Sequence, residues 1–172
     1  MSKTTLRKTI AEFSPEQLRG LIFDIYDKSK DAKEILDFYA DPDVEKKLDQ
    51  FKTLVYKEIY RTRRRYNRPR IPRLRAAVKR FAVFEPGDEN VAELMVYIVE
   101  ELCRMSDSGW LNDTTVNVIA KFFKETLEYI APRMLLDSCL PRLERAIALM
   151  PSGDSLRRCL SAALDEWLDS RE

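Results

Sequence analysis

Apolar residues recur every three or four positions along most of this chain, and this spacing restricts the folds that the chain can adopt. In the segment that starts at Val44, the residues with this spacing are Leu48, Phe51, Val55 and Ile59. Such spacing puts apolar side chains on one face of an α-helix, whereas a half-buried β-strand needs strict alternation. No strand-like alternation stands out, and the chain has only 4 glycines. The pattern therefore predicts an all-α protein.

Prolines and capping residues divide the pattern into separate helices. Ser14 comes directly before Pro15 and three residues before Gln17, an arrangement typical of a helix N-terminus with a capping box. Asp41-Pro42 predicts another helix start, and that helix should run into the arginines near position 63. Pro141 suits the first turn of a later helix. Helices of about 10–20 residues with short connections predict antiparallel hairpins, stacked as a small bundle or as a short α-solenoid of the HEAT/TPR type.

The segment 67–72 interrupts the helical pattern. It reads Asn-Arg-Pro-Arg-Ile-Pro, and each proline disfavours helical backbone angles at the residue before it. The segment should therefore be a non-helical loop. We expect one all-α domain over residues 1–172, in which this loop is the candidate boundary between an N-terminal lobe at 1–66 and a C-terminal lobe at 73–172.

A faint internal repeat accompanies the helices. Three apolar stripes share the same spacing and begin at Leu6, Leu74 and Leu143, which are 68 and 69 residues apart. Any amphipathic helix produces this spacing. The regular order of helix, turn and helix is therefore the stronger indication of a helical repeat protein.

Several function classes are disfavoured by what the sequence lacks. The chain has no histidine, which removes Ser-His and Cys-His pairs, histidine acid–base catalysis and most transition-metal sites. No glycine-rich nucleotide-binding loop is present. Cys103, Cys139 and Cys159 are odd in number and far apart, which favours small core residues in a reducing compartment over a disulfide framework or a zinc site. We therefore expect no cofactor, no metal site and no catalytic residue.

The hydropathy pattern also disfavours a membrane protein. No apolar run approaches the roughly 18 residues that a membrane-spanning helix needs. Residues 1–8 are polar, and no apolar stretch of a secretion signal follows them. We expect a cytoplasmic protein with no membrane association.

The net charge of +1 conceals one strongly basic segment. Residues 57–80 carry 11 basic and 1 acidic side chains, whereas residues 1–56 carry 10 and 11, and residues 81–172 carry 9 and 17. Arginine binds phosphate through two parallel hydrogen bonds and tyrosine stacks on bases, so the segment is a candidate anion- or nucleic-acid-binding patch. The candidate residues are Tyr60, Arg61, Arg63, Arg64, Arg65, Tyr66, Arg68, Arg70, Arg73 and Arg75.

A structural role is the alternative for these charges. The arginines can pair with acids of the chain itself, because both flanking segments carry an excess of acids. A second group of charges is acidic and clusters around one predicted helix: Glu85, Asp88, Glu89, Glu93, Glu100 and Glu101. Glu93 and Glu100 can share one helix face, since they are 7 residues apart. Paired carboxylates can perform acid–base catalysis or bind divalent cations. A solvated helix face is the default interpretation of such a cluster.

Two segments, Leu21–Val44 and Leu74–Pro86, resemble a known family of small bacterial helical proteins that is defined only as a domain of unknown function. The residues that carry the resemblance are Tyr26, Asp27, Lys28, Ser29, Lys33, Leu36, Phe38, Ala77, Val78, Phe81 and Pro86. The resemblance is clearest over the first 105 residues. It implies an all-α fold and a bacterial, cytoplasmic origin, and it implies no activity, cofactor or partner.

Three functions remain open from the sequence. The favoured one is a non-catalytic protein–protein interaction module that binds a protein partner or another copy of itself. The alternative is an RNA- or DNA-binding accessory protein that uses residues 57–80. An enzyme is least favoured, because no nucleophile–base pair and no metal cluster is recognisable.

Overall fold

The computed structural model describes residues 2–63, 66–67, 69–106 and 111–171. Helices dominate this part of the chain, which confirms the predicted all-α class. They are α1 (Lys3–Ala11), α2 (Pro15–Lys28), α3 (Lys30–Ala40), α4 (Val44–Ile59), α5 (Ile71–Ala82), α6 (Asp88–Ser106), α7 (Asp113–Ile130), α8 (Leu136–Leu149) and α9 (Ser155–Asp169). A 3₁₀ turn at Ala131–Arg133 follows α7. The strands β1 (Thr62–Arg63) and β2 (Tyr66–Asn67) form one short antiparallel pair.

The chain divides into two compact units, Met1–Asp43 and Val44–Glu172. The loop predicted at 67–72 lies inside the second unit, so the expected lobes differ from these units. Two predictions about this region are wrong. Helix α4 ends at Ile59 rather than near position 63, and α5 already includes Pro72. A proline fits there because the amide hydrogens of a first helical turn have no intrahelical acceptor.

Side-chain caps define the helices of the first unit. Ser14 Oγ accepts a hydrogen bond from the Gln17 amide at 3.2 Å, and Gln17 Oε1 accepts one from the Ser14 amide at 2.8 Å. This is the predicted capping box. Ser29 ends α2 and caps α3 by accepting from the Ala32 amide at 3.3 Å. Helices α2 and α3 pack together, and the Tyr26 hydroxyl donates to Asp37 Oδ1 at 2.8 Å.

The first unit has no buried core among its described residues. The apolar residues Leu18, Leu21, Ile22 and Ile25 of α2 have the spacing of a buried helix face, but the structure does not bury them. Leu18 and Leu21 are half-buried, and Ile22 and Ile25 are 48% and 43% exposed. Short helices such as these have too little mutual contact surface to cover their apolar stripes.

The second unit is a stack of three helical hairpins in two layers. Helix α6 packs against both α4 and α8, and α7 packs against both α5 and α9. Lys52 of α4 and Tyr60, which directly follows α4, contact residues of α6 that are each 41 positions later, so α4 and α6 run in the same direction. Tyr129 near the end of α7 donates to Asp88 at the start of α6 at 2.7 Å, so these two helices are antiparallel. The predicted stacking of antiparallel hairpins is therefore confirmed.

The helices that occupy equivalent places in this stack are not the ones that the predicted repeat had aligned. The layer-forming helices α4, α6 and α8 begin at Val44, Asp88 and Leu136. Leu6, Leu74 and Leu143, by contrast, lie in α1, α5 and α8, which are not equivalent helices. The prediction about Pro141 also needs correction, because α8 begins five residues earlier and Pro141 lies inside it. The shared spacing of these apolar residues therefore does not identify equivalent helices.

Helix α6 is the centre of the second unit. It has 12 buried residues and packs against helices of both layers. The surrounding core includes the fully buried rings of Phe81, Phe122 and Phe123. Cys103 and Cys139 are buried free thiols and Cys159 is half-buried. Over the part of the chain that the structure describes, no helix combines the length and the hydropathy needed to cross a membrane.

Candidate functional site

Arg70 and Arg73 of the predicted basic patch both bind one carboxylate on α4. Arg70 Nη2 donates to Glu58 Oε2 at 3.1 Å, and Arg70 Nε donates to Glu58 Oε1. Arg73 Nη1 lies 3.9 Å from Glu58 Oε2. The hydrogen bond from Arg70 lowers the pKa of Glu58, so this carboxylate stays ionised and offsets part of the basic charge.

Arg75 binds an acid of the next hairpin. Its Nε donates to Glu125 Oε2 at 2.8 Å and its Nη2 donates to Glu125 Oε1 at 2.9 Å. This two-point geometry is the strongest form of the arginine–carboxylate interaction, and it joins α5 to α7. The guanidinium group also lies 6.0 Å from the Phe122 ring centroid. Arg75 therefore has an evident structural role.

The remaining candidates of the patch are placed differently. Arg61 is exposed. Arg63 and Tyr66 pair through their backbones in the short antiparallel ladder. Arg64, Arg65 and Arg68 lie outside the described residues. The structure thus brings Arg70 and Arg73 together at Glu58 and places Arg75 at Glu125, and the role of the ten residues in anion binding stays a prediction.

Tyr60 faces the protein interior rather than an open surface. Its hydroxyl donates to Glu101 Oε2 at 2.9 Å, and its ring centroid lies 4.5 Å from that of Tyr56. Burial and the bond to Glu101 raise the pKa of Tyr60. Glu101 is only 5% exposed, and Arg104 Nη1 donates to its other oxygen. Tyr60 and Arg104 thus satisfy a carboxylate that α6 carries into the interface with α4.

Arg142 on α8 bridges the two glutamates that were expected to share a face of α6. Its Nε donates to Glu100 Oε1 at 3.0 Å and its Nη2 donates to Glu100 Oε2 at 3.0 Å. Its Nη1 donates to Glu93. Glu93 and Glu100 therefore do share a face. Hydrogen bonds to Glu100 and Glu93 raise the pKa of Arg142, which remains charged.

Lys52 on α4 completes the neutralisation of Glu93. Its Nζ lies 2.8 Å from Glu93 Oε1. Burial acts to raise the pKa of Glu93, but the hydrogen bonds from Arg142 and Lys52 outweigh burial and lower it. The expectation of a solvated acidic face is therefore wrong for Glu93, Glu100 and Glu101, because these side chains are largely buried in ion pairs.

These contacts form one polar band across α4, α6 and α8, which we call the α6 band: Lys52, Tyr60, Glu93, Glu100, Glu101, Arg104 and Arg142. Sequence reasoning missed Lys52, Arg104 and Arg142, and no local motif distinguishes them from other exposed cations. The pairs span 41 to 49 positions, except for Arg104, which lies one helical turn from Glu101. The roles of these three cations are visible only in the folded structure, in which the hairpins stack.

A cavity of about 430 Å³ lies beside the α6 band, between α6 and α8. Its charged lining residues are Glu100, Arg104, Arg142 and Arg145. Its other lining residues are Cys103, Ala146, Leu149 and Met150. Burial raises the pKa of the Cys103 thiol to about 12, so that thiol is neutral at physiological pH.

The glutamates of this region are held in ion pairs. The pKa of Glu93 is lowered, whereas a general acid needs a raised pKa. Among the residues that the structure describes, no group of three or more Asp, Glu or Cys side chains is arranged to hold a metal ion. Cationic groups on the cavity rim can bind anions.

Comparison with known proteins gives one match. Neither the curated proteins nor the solved structures contain a match to this chain. A family model matches residues 1–148, which include α1 to α7 and all but the last residue of α8. The description of that family is "Family of unknown function (DUF6155)". Because the match covers most of the chain, the protein belongs to this family of unknown function.

Proposed function

We propose that this protein is a non-catalytic protein–protein interaction module whose first unit supplies the binding surface. One observation carries the proposal: no described side chain of that unit is buried, although its helices are amphipathic. Its exposed large apolar side chains are Leu6, Ile22, Phe23, Ile25 and Tyr39. Monomeric proteins rarely expose many apolar groups close together unless a partner covers them.

Helix α2 offers the clearest docking face. Ile22 and Ile25 are three residues apart, and side chains at this spacing lie on the same side of a helix. Fully burying one such side chain stabilises a complex by about 1.5–3 kcal/mol before association costs. The partner surface should therefore be apolar, and it belongs either to another protein or to a second copy of this chain.

The second unit supports a non-catalytic role. In the α6 band every glutamate is bound by a lysine or an arginine, and the pairs formed by Lys52 and Arg142 connect α6 to α4 and α8. Stacked hairpins commonly act as scaffolds that present a binding surface. We expect the second unit to be a stable scaffold in its own right.

Substitution of the docking face tests this proposal. The double variant Ile22→Asp/Ile25→Asp introduces charges where the partner should be apolar. Sedimentation velocity of wild type and variant measures self-association. Affinity purification from the native host, followed by direct binding measurements with the identified partner, tests association with another protein. We expect the double variant to lose association by tenfold or more.

Val83→Asp is the matched control, because Val83 is an exposed apolar residue of the second unit. It should leave association unchanged. Association that is equal in wild type and in the double variant contradicts the proposal. A wild-type monomer for which no partner is confirmed by direct binding contradicts it as well.

A second candidate function is the binding of RNA or DNA by residues 57–80. It is favoured by exposed Arg61 and by the exposed ring of Tyr56, which stand on either side of Tyr60 at the end of α4. Replacing Arg63, Arg64 and Arg65 by glutamine should then weaken nucleic-acid binding and flatten its salt dependence. Binding that is indifferent to salt, or unchanged in the triple variant, excludes this function.

A further inference from the structure

The cavity between α6 and α8 contains one arginine that is already fully bound. Arg142 directs Nε, Nη1 and Nη2 to Glu93 and Glu100. Because Glu100 receives two of these hydrogen bonds, its charge is largely neutralised, and it should repel an incoming anion only weakly. Arg142 and Glu100 therefore line the cavity as a bound ion pair, and they are not the groups that would bind an anion.

Arg104 and Arg145 are the binding groups that remain. Arg104 uses Nη1 for Glu101, and its side chain is 61% exposed. Arg145 lies on the exposed side of α8, and the described part of the chain provides no ion-pair partner for it. Its positions three and four residues away are Pro141, Arg142, Ala148 and Leu149, so no acid on its own helix can reach it.

The rest of the lining is apolar and uncharged. Leu149 is 72% exposed although it lies on the cavity wall, and Ala146 precedes it by three residues on the same side of α8. Cys103 is buried and adds no charge. Two cationic groups with free donors thus stand next to an apolar wall, and an anion with an apolar part complements both.

We propose that this cavity binds a small organic anion, a carboxylate or a phosphate monoester, whose charged group lies between Arg104 and Arg145 and whose apolar part lies on Ala146 and Leu149. The volume of about 430 Å³ falls within the range of small-molecule sites. Guanidinium groups bind carboxylate and phosphate oxygens in the same two-point geometry, so both anions fit the same donors.

Calorimetric titration of the full chain with four probes tests the proposal. Octanoate and octyl phosphate carry both parts of the ligand, octanol lacks the anion, and acetate lacks the apolar part. We expect at least one of the first two to bind about tenfold or more tightly than octanol and acetate. The stronger of the two identifies the anion class.

Two variants locate the binding site. Arg104→Gln/Arg145→Gln removes both cationic groups and should weaken binding of the better probe about tenfold or more. Leu149→Glu should weaken it similarly, because it places a carboxylate beside the same arginines. Since Leu149 is exposed, this second variant should fold normally, which thermal unfolding can verify. Arg158→Gln, an exposed arginine of α9 outside the cavity, is the matched control and should bind like wild type.

Three results would overturn the proposal. Octanol that binds as tightly as octanoate and octyl phosphate shows that the charge is not recognised. Unchanged binding in Arg104→Gln/Arg145→Gln and in Leu149→Glu shows that the probe binds elsewhere, for example on the apolar residues of the first unit. Absence of binding by all four probes shows that the cavity is not a site for this class of ligand.

Discussion

Tyr60 and Glu101 are joined across the interface between α4 and α6, where the tyrosine hydroxyl donates to a carboxylate oxygen at 2.9 Å. Among the residues that the structure describes, Glu101 is the one charged residue that is buried. A buried carboxylate is stable only if hydrogen bonds replace its lost hydration. Tyr60 and Arg104 supply these bonds, and the bond from Tyr60 connects the α4–α5 hairpin to the α6–α7 hairpin.

Tyr60→Phe should therefore destabilise the second unit. It removes the hydroxyl donor and leaves one oxygen of Glu101 without this bond, which should lower the free energy of unfolding by about 1–3 kcal/mol. Urea denaturation measures the change. Tyr56→Phe is the control, because the Tyr56 side chain is exposed and its loss of a hydroxyl should have little effect. Equal stability of the two variants would contradict the importance of the bond.

Arg142→Ala should be more damaging than Tyr60→Phe. It leaves Glu93 and Glu100 partly buried with less compensation, which should cost roughly 2–4 kcal/mol, since the site keeps some contact with water. Glu100→Gln in the same background should recover part of the loss. Arg145→Ala, on the same helix but without an ion pair, should change the unfolding free energy by less than about 0.5 kcal/mol. Similar losses in both arginine variants would argue against the bridge.

Acidification should weaken the α6 band. The folded pKa of Glu93 lies below its ordinary value of 4.5, so the unfolded chain binds the proton first as the pH falls. The contribution of Glu93 is present above about pH 5 and is lost as the pH falls through its folded pKa. Glu93→Gln should show a smaller loss of unfolding free energy between pH 6 and pH 3 than wild type. An identical pH dependence would show that Glu93 is not coupled to Arg142 and Lys52.

The three thiols should differ in reactivity. Cys103 is buried and its thiol has a pKa of about 12, whereas Cys159 is half-buried. Only thiolates react readily with disulfide reagents. Native protein at pH 8 should therefore show one faster phase with such a reagent, and Cys159→Ser should remove it. Denatured protein is the control, in which all three thiols should react quickly. A fast phase that persists in Cys159→Ser would place the reactive thiol elsewhere.

Amide hydrogen exchange should be faster in the first unit than in the second. Amides of α2 and α3 lie in a unit without buried side chains, whereas α6 is surrounded by core. Local opening of α2 and α3 should therefore be easier, and their amides should exchange at least about a hundredfold faster than those of α6. The measurement requires dilute protein, so that association does not protect the first unit. Equal protection of the two units in the dilute monomer would contradict this expectation.

Local structure could be predicted from this sequence because its causes are local. The capping box of Ser14 and Gln17 involves residues three positions apart, and it forms as expected. Apolar spacing also indicated the stripe of α4, whose Leu48, Phe51, Val55 and Ile59 are all buried. In these cases the residues that determine the structure are close together in the sequence.

The α6 band could not be predicted because its causes are distant in sequence. Arg142 reaches Glu93 across 49 positions, and nothing near Arg142 indicates this partner. Which residues of α4, α6 and α8 face each other depends on how the three hairpins stack, and this stacking depends on core packing. The exposed stripe of α2 is the converse case, because Ile22 and Ile25 have the spacing of buried residues and yet the described unit does not cover them.

Helices α4 and α6 run in the same direction, and so does α8, because its last residues line one cavity with the last residues of α6. This common direction gives their layer an electrical polarity. Their peptide dipoles add, so partial positive charge collects at the edge where all three helices begin and negative charge collects at the opposite edge. Parallel dipoles side by side repel one another. Acidic side chains occupy the first turn of each helix, namely Glu45, Asp88, Glu89 and Asp137. These carboxylates offset the repulsion at the starting edge, so that three parallel helices can lie in contact.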